Sequence, residues 1–300
     1  MKVYFPSYYN NFACIADKCR HSCCVGWEIY LDGQTIARYN ALPRGEREEI
    51  FAHIDGEEMQ IRLTGDERCP FLDGSGLCRL ISHYGEGYIS EICKEHPRFY
   101  HKIGERTEGG IGASCEEAAR IILTSDGYRD FTEIERQSLD IPEETELDTF
   151  AERVEIYEIL ADRSIPYRER IVKIKEKYNL PSSLHTASEW QEIFSETELL
   201  SESHRALISV GKTADEKYSL YTERFLAYLI YRHVSVADSC DNLRARVGFA
   251  ILLTEMLENY LAQGEPSESE IIEAARIISE EIEYSEDNTA SLILEIESLI

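Results

Sequence analysis

The residues of this chain best suited to metal chemistry are its cysteines. Eight of the nine lie within the first 115 residues. These eight are Cys14, Cys19, Cys23, Cys24, Cys69, Cys78, Cys93 and Cys115. One or two could be small buried apolar residues, but eight clustered among glycine-containing loops are not a usual core pattern. Because thiolates are soft, charged donors for zinc and iron–sulfur clusters, the clustering predicts a metal site.

The spacing of the cysteines indicates which metal and which ligands to expect. Zinc sites commonly use two C-x2-C pairs, which this chain lacks, so the irregular spacing favours an iron–sulfur cluster, with zinc as the alternative. The predicted ligands are Cys19, Cys23, Cys78 and Cys93. The alternates are Cys24, Cys69 and Cys115. Cys23 and Cys24 are adjacent, so their side chains tend to diverge, and we do not expect both to bind one metal.

Several residues near the cysteines have two interpretations. His96 lies three residues after Cys93 and could replace a cysteine ligand, but a polar loop residue is the favoured interpretation. Arg98 is a candidate for binding a cofactor carboxylate, and could equally cap the C-terminus of a helix. Cys14 is a weaker ligand candidate, and Cys240 is predicted to be a core thiol.

Charge and hydropathy restrict the possible partners and location. The N-terminal sequence MKVYFPSYYNNFAC has no continuous apolar core, and no stretch of about 18 apolar residues occurs, so we expect a cytoplasmic protein without disulfides. The formal charge is −26. Residues 1–115 carry 13 Lys/Arg against 17 Asp/Glu, and residues 116–300 carry 18 against 40. This acidic second half argues against nucleic acid or an anionic membrane as partner.

Short elements are predicted to hold the cysteines. Alternating apolar residues in 26–32 and 59–65 predict half-buried strands, and residues 35–53 predict a helix interrupted near Pro43 and Gly45. Two further short helices are predicted, one ending at Gly85 and one at Cys93. The cysteine-rich part is therefore expected to be a small, irregular unit.

Helical patterns dominate after residue 148. Apolar residues recur at helical spacing around 154–160, 171–178, 221–232, 249–257 and 271–278. Two capping boxes are predicted, Ser114–Glu117 and Ser267–Glu270, of which the first makes Cys115 the first helical residue. Gly109–Gly112 is predicted to be a turn. The expected fold is mainly α, with a cysteine-rich metal-binding domain over 1–130 and an acidic α-helical bundle over 131–300.

Five blocks of the sequence form a recognisable series: KCRHSCCVGWEIYLD (18–32), RCPFLDGSGLCRL (68–80), EICKEHPRFY (91–100), SCEEAARIIL (114–123) and ERFLAYLIYRHV (223–234). In their order and spacing they resemble the bacterial flagellin lysine-N-methylase family. The CPFL…GLC…C…PR core is shared more widely, with small proteins described as zinc- or iron-chelating. The resemblance implies methyl transfer from S-adenosylmethionine to lysine side chains of flagellin, with an iron–sulfur centre, expected to be 4Fe-4S, held by the N-terminal cysteines.

The residues that would perform methyl transfer are not evident from the sequence. The reaction needs a neutral lysine amine, whose ordinary pKa is about 10.4, yet no catalytic base stands out. No Rossmann-type glycine fingerprint is present, and C-x3-C-C differs from the C-x3-C-x2-C of radical enzymes. The alternative function is a non-catalytic zinc- or iron–sulfur-binding adaptor or redox protein.

Overall fold

Helices of all types make up 52% of the residues that the structure describes, which confirms the mainly α fold class. The structure is a computed structural model that describes residues 1–136, 141, 143–145 and 147–300. The chain forms two compact units. We call Ala13–Arg98 the cysteine unit, and Met1–Phe12 together with Phe99–Ile300 the helical unit.

The cysteine unit is built from short elements that follow the first strand of the chain, β1 (Lys2–Pro6). Its helices are α1 (Gly33–Asn40), α2 (Arg44–Phe51), α3 (Arg79–Tyr84) and α4 (Glu91–Glu95). Its paired strands are β2 (Ile54–Asp55) and β3 (Gln60–Ile61). The predicted helix with a break near Pro43 is thereby confirmed, because α2 begins directly after that proline.

The two strand predictions for the cysteine unit identify the buried side chains correctly, but the observed strands are shorter than predicted. Over 26–32 the backbone forms one isolated bridge, Tyr30 with Gln60, and the second predicted strand is reduced to β3. The side chains nevertheless alternate, since Ile29 and Leu31 are buried whereas Tyr30 is exposed. Hydrophobic alternation therefore identified the buried face but not the length of the ladder.

A small core joins these elements. Its buried members are Ile29, Leu31, Tyr39, Ile50, Ile54, Ile61, Cys69, Phe71 and Leu80. Cys24, Cys78 and Cys93 are partly buried and pack against them. Four sulfur atoms thus belong to, or border, the hydrophobic core of this unit.

The helical unit contains a five-stranded sheet that the sequence analysis did not predict. The strand order is β6-β1-β5-β4-β7, with β4 (Arg98–Ile103), β5 (Arg106–Ile111), β6 (Phe131–Glu135) and β7 (Glu143–Thr145). Strand β1 is parallel to β5 and antiparallel to β6. The compact units therefore differ from a division at residue 130: residues 99–130 join the helical unit because β5 pairs with β1.

Gly109 and Gly110 lie within β5, so the prediction of a turn at this position is wrong. A Cβ atom on Gly110 would lie 2.4 Å from the Phe99 ring, and one on Gly109 would lie 2.5 Å from the Phe5 ring. The two glycines are thus explained by aromatic rings that occupy the space of their side chains.

Eight helices follow in the helical unit among the residues that the structure describes. They are α5 (Glu116–Thr124), α6 (Phe150–Ala161), α7 (Tyr167–Lys177), α8 (Ala187–Ser195), α9 (Ser219–His233), α10 (Cys240–Leu261), α11 (Glu268–Ile278) and α12 (Glu286–Glu297). All five predicted helical stripes lie on these helices, and α10 contributes the largest number of buried residues. No helix of the described ranges combines the length and the apolar composition needed to cross a bilayer.

The two predicted capping boxes have different outcomes. The box at Ser267 and Glu270 is confirmed, with the Ser267 hydroxyl donating to the Glu270 carboxylate over 2.7 Å. The box at Ser114 is wrong, because α5 begins one residue later and Cys115 is its N-cap. Glu117 instead accepts a hydrogen bond from Arg120 over 2.6 Å.

A buried carboxylate connects α9 to the preceding helices. Glu223 has no exposed surface, and its oxygens accept hydrogen bonds from Arg170 at 2.6 Å, Arg163 at 2.8 Å and the Tyr128 hydroxyl at 2.9 Å. Burying a charge is unfavourable unless it is paired and hydrogen-bonded, and these contacts supply both conditions.

We predict that Gly110→Ala lowers the free energy of unfolding by about 1–3 kcal/mol, because the new methyl group overlaps the Phe99 ring. Gly264→Ala in the same unit is the control, since nothing lies within 4 Å of its added Cβ atom. Chemical denaturation of both variants checks the prediction. Equal stability of the two would contradict the ring contact.

We also predict that Glu223→Gln lowers the free energy of unfolding by about 3–5 kcal/mol, because it leaves the buried Arg170 charge without its partner. The matched control is Glu265→Gln, which removes the exposed pair with Lys217 and should change stability by at most about 1 kcal/mol. Denaturation midpoints and slopes measure both variants. A cost for Glu223→Gln no larger than that of the control would disprove the role of this carboxylate.

Candidate metal centre

Backbone hydrogen bonds bring together Cys24 and Cys69, which are far apart in sequence. The amide of Cys69 donates to the carbonyl of Cys24 over 2.7 Å, and the amide of Gly26 donates to the carbonyl of Glu67 over 3.0 Å. Val25 and Arg68 form an antiparallel bridge between these two contacts. The segment that holds Cys24 is therefore locked against the segment that holds Cys69.

Helices α3 and α4 position two further cysteines of the unit. Cys78 is the N-cap residue of α3, and Cys93 lies within α4. The position of α4 is fixed by Asp32, whose carboxylate accepts hydrogen bonds from the Glu91 amide and the Thr35 amide, both over 2.9 Å. Burial raises the pKa of Asp32, but the hydrogen bonds outweigh it and lower this pKa to about 2. Asp32 therefore stays ionised and joins the N-termini of α1 and α4.

Five thiols, which we call the thiol cluster, comprise Cys24 and the four thiols that interact with it. They are Cys23, Cys24, Cys69, Cys78 and Cys93. Cys24 is the centre of this group, because it is hydrogen-bonded to both Cys23 and Cys69. Cys78 and Cys93 interact electrostatically with Cys24 and with each other. Three of the four predicted ligands and two of the three alternates thus belong to this group of interacting thiols.

The protonation of the thiol cluster shows that its members compete for negative charge. Hydrogen bonds from Cys23 and then Cys69 lower the pKa of Cys24, whereas the bond to Cys24 raises the pKa of Cys23. Burial raises the pKa of Cys93 to about 11. One thiolate is therefore stabilised at the expense of the others. A bound cation would let several ionise together, since metal binding releases thiol protons.

His96 lies beside this group. Its ring centroid is 5.4 Å from that of Trp27, and it interacts electrostatically with Cys24. Burial lowers the pKa of His96 to about 4, so the imidazole is neutral at physiological pH. Neutral imidazole is the form that binds metals, and His96 therefore remains a candidate ligand beside the thiol cluster.

The other cysteines and Arg98 have different surroundings. Cys14 is exposed and interacts electrostatically with Cys23. Cys19 is half-buried and follows the short 3-10 helix Ala16–Lys18. Cys115 belongs to the helical unit, where it caps α5. Cys240 is exposed at the start of α10, so its prediction as a core thiol is wrong. Arg98 donates to the carbonyl of Lys94 over 3.3 Å, at the C-terminal end of α4.

A polar network in the helical unit surrounds the RHV segment at the end of α9. The His233 imidazole lies 2.7 Å from the Glu283 carboxylate, to which the Tyr228 hydroxyl also donates. Burial raises the pKa of Glu283, but Arg232 and His233 outweigh it and hold this pKa below its ordinary value. The Arg232 guanidinium stacks over the Tyr284 ring at 4.6 Å. These residues satisfy one another and fix α9 against the segment that carries Glu283.

Sequence reasoning also missed a second group with metal-ligand chemistry. His204, Glu280 and Glu281 have ligand atoms within 4.8 Å of one another. Glu281 already accepts a hydrogen bond from the Leu200 amide over 2.6 Å, and Glu280 pairs with Arg276 over 2.8 Å. These partners compensate both carboxylates, so a structural role explains the group. The sequence analysis also missed the role of Asp32. A signal was available there, because Asp32-x-x-Thr35 has the spacing of a helix cap.

The chain is similar in sequence to proteins of known name. A lysine-N-methylase of Salmonella choleraesuis is 29% identical over 126 residues, which cover 39% of this chain and 31% of the relative. The lysine-N-methylase of Salmonella typhimurium gives the same values. The flagellar biosynthetic protein FliU of Salmonella muenchen is 27% identical over 126 residues, which cover 39% of this chain and 75% of FliU.

These matches have a defined extent. The aligned part spans about a third of the length of the two lysine-N-methylases. No family model matches the chain, and no solved structure matches it. Over 39% of its length the chain is similar to lysine-N-methylases, which confirms the predicted resemblance to that family.

Proposed function

We propose that this protein transfers methyl groups from S-adenosylmethionine to lysine side chains of flagellin. The observation that carries the proposal is its similarity to proteins named lysine-N-methylase and to a flagellar biosynthetic protein. In this reaction the neutral ε-amine attacks the methyl carbon of the sulfonium, so that a C–N bond forms as the C–S bond breaks. The electron pair of that bond stays on sulfur, and the amine loses a proton to a base.

The same proposal includes an iron–sulfur centre, expected to be 4Fe-4S, in the cysteine unit. The donor set fits such a group, because a cluster of this kind takes four cysteine ligands and the thiol cluster contains five thiols. Three of the preferred ligands, Cys23, Cys78 and Cys93, belong to the thiol cluster. The fourth preferred ligand is Cys19, and the thiol cluster offers Cys24 and Cys69 as alternates. Zinc is the alternative occupant, since it also binds four thiolates.

When bound, such a centre would supply positive charge to the clustered thiolates, and either bind the amino and carboxylate groups of the methyl donor or act only structurally. Asp32 and the Cys24–Cys69 backbone contact hold the ligand-bearing segments together through contacts of the protein itself. This preorganisation favours binding because less ordering remains to be done.

We predict that Cys24→Ser and Cys78→Ser each reduce the iron and sulfide content of anaerobically purified protein severalfold, because each removes a soft donor from the thiol cluster. Cys240→Ser is the control, since this thiol is exposed and lies in the helical unit. Elemental analysis and visible absorption measure the outcome. A colourless wild-type protein with bound zinc would identify zinc as the occupant, and unchanged metal in both variants would disprove the site.

We predict that the wild-type protein, incubated with S-adenosylmethionine and purified flagellin, adds methyl groups to flagellin lysines. Mass spectrometry of the digested flagellin measures the products, with heat-inactivated protein as the control. A metal-loaded, folded protein that never methylates flagellin would favour the adaptor or redox alternative. A folded Cys78→Ser protein that lacks metal and keeps full activity would exclude a role for the centre in anchoring the donor.

A further inference from the structure

A cleft of about 160 Å³ lies between α7 and α10 in the helical unit. Its inner wall is formed by buried side chains, namely Tyr167 of α7 and Ile251, Thr254 and Glu258 of α10. Exposed residues, including Arg168, border its mouth. The three α10 residues are spaced by three, four and seven positions, so they share one face of that helix.

Glu258 is the unusual residue of this cleft. It is only 9% exposed, and within the described residues its carboxylate has neither a hydrogen bond nor an ion pair. Other buried carboxylates of the unit are paired, as Glu223 is with Arg170 and Glu283 with His233. A buried, unpaired carboxylate that lines an open cleft is thus a site where a cation from outside would relieve an unfavourable charge.

The walls of the cleft indicate the shape of that cation. Ile171 and Ile251 present aliphatic surface, and the Thr254 hydroxyl donates to the Ala250 carbonyl over 2.9 Å, which leaves its oxygen able to accept a hydrogen bond. The volume is below the roughly 300–1,000 Å³ of pockets for cofactors and drug-sized ligands, so it suits one side chain and not a nucleoside. An aliphatic chain ending in an ammonium group meets all of these conditions.

We propose that this cleft binds a lysine side chain of the protein substrate in its protonated form, with its methylene groups against Ile171 and Ile251 and its ammonium against Glu258. This contact recognises the substrate and is separate from the methyl-transfer step, which needs the neutral amine. The alkylammonium chemistry comes from the cleft itself, whereas its identification as a substrate lysine depends on the proposed methyl-transfer function. Binding this side chain excludes water from the ion pair, which strengthens it and favours lysine over an uncharged residue of the same length.

The electrostatics of the cleft give this binding a pH dependence. Burial first, and then the negative charges of Glu255 and Glu216, raise the pKa of Glu258 to about 7, against the opposing effect of Arg168 and Lys175. Tyr167, also near Glu258, has its pKa raised by burial and stays neutral. Below pH 7 Glu258 is increasingly protonated, whereas lysine keeps its charge up to a pH of about 10. Affinity should therefore rise as the pH increases through 7.

The full-length protein tests this with two ligands, Nα-acetyl-lysine-N-methylamide and its norleucine counterpart, which has the same chain without the ammonium. Calorimetry or NMR titration should show binding of the lysine ligand alone, with affinity that falls below pH 7. Glu258→Gln should weaken binding about tenfold or more, because hydrogen bonds to charged groups contribute about 1.5–3 kcal/mol. Glu176→Gln, an exposed position on α7, is the matched control and should bind as the wild type does.

Each outcome has a defined meaning. Equal binding of both ligands, no binding of the lysine ligand, or full affinity in Glu258→Gln would overturn the proposal. The ligand comparison and the pH dependence use only wild-type protein, so they remain decisive even if the variant folds poorly. Methylation of flagellin without binding of the lysine ligand would reject the cleft and keep the proposed function. Binding of the lysine ligand without methylation would reject the function and keep the cleft.

Discussion

The crowding of sulfur atoms around Cys24 is the constraint on which the cysteine unit depends. This unit extends only from Ala13 to Arg98, and its core contains nine buried residues, one of which is Cys69. A core of this size gives little stability by itself, and several thiolates close together repel one another. A metal bound by the thiols would remove the repulsion and link segments that few apolar contacts hold. The free energy of metal binding would then contribute directly to the free energy of folding.

In the helical unit, buried charges are compensated by other protein groups. Its large core includes most of α10, and the buried carboxylates described in it, apart from Glu258, are compensated by protein groups of opposite charge or by hydrogen bonds. Glu223 pairs with Arg170, and Glu283 contacts His233. Each pairing joins elements far apart in sequence, so removing one partner leaves a buried charge unmatched. Glu258 lies in the same environment without such a partner, which distinguishes a candidate binding residue from the structural carboxylates.

The sequence predicts the features that depend on local pattern and misses those that depend on distant contacts. Helical periodicity identified α6, α7, α9, α10 and α11, and the number and clustering of the cysteines predicted a thiol site. The sheet was missed because β1 pairs with β5 about 100 residues away, which no local pattern records. The same reason explains Gly110, since its local sequence is typical of a turn and only the Phe99 ring explains the glycine. Ser114 shows that a capping motif competes with alternatives, because Glu117 pairs with Arg120 instead.

The acidic surface and the cleft would act on a lysine-bearing partner at different ranges. Residues 116–300 carry 40 acidic against 18 basic residues, and such an excess attracts basic segments over distances that salt limits to about 10 Å. This attraction would raise the rate of encounter without selecting one lysine. Selection requires a short-range contact that favours an aliphatic chain and its ammonium together, and a buried carboxylate in a cleft also lined by isoleucines provides such a contact. Because a buried pair is screened far less than surface charges, salt would slow encounter more than it weakens binding in the cleft.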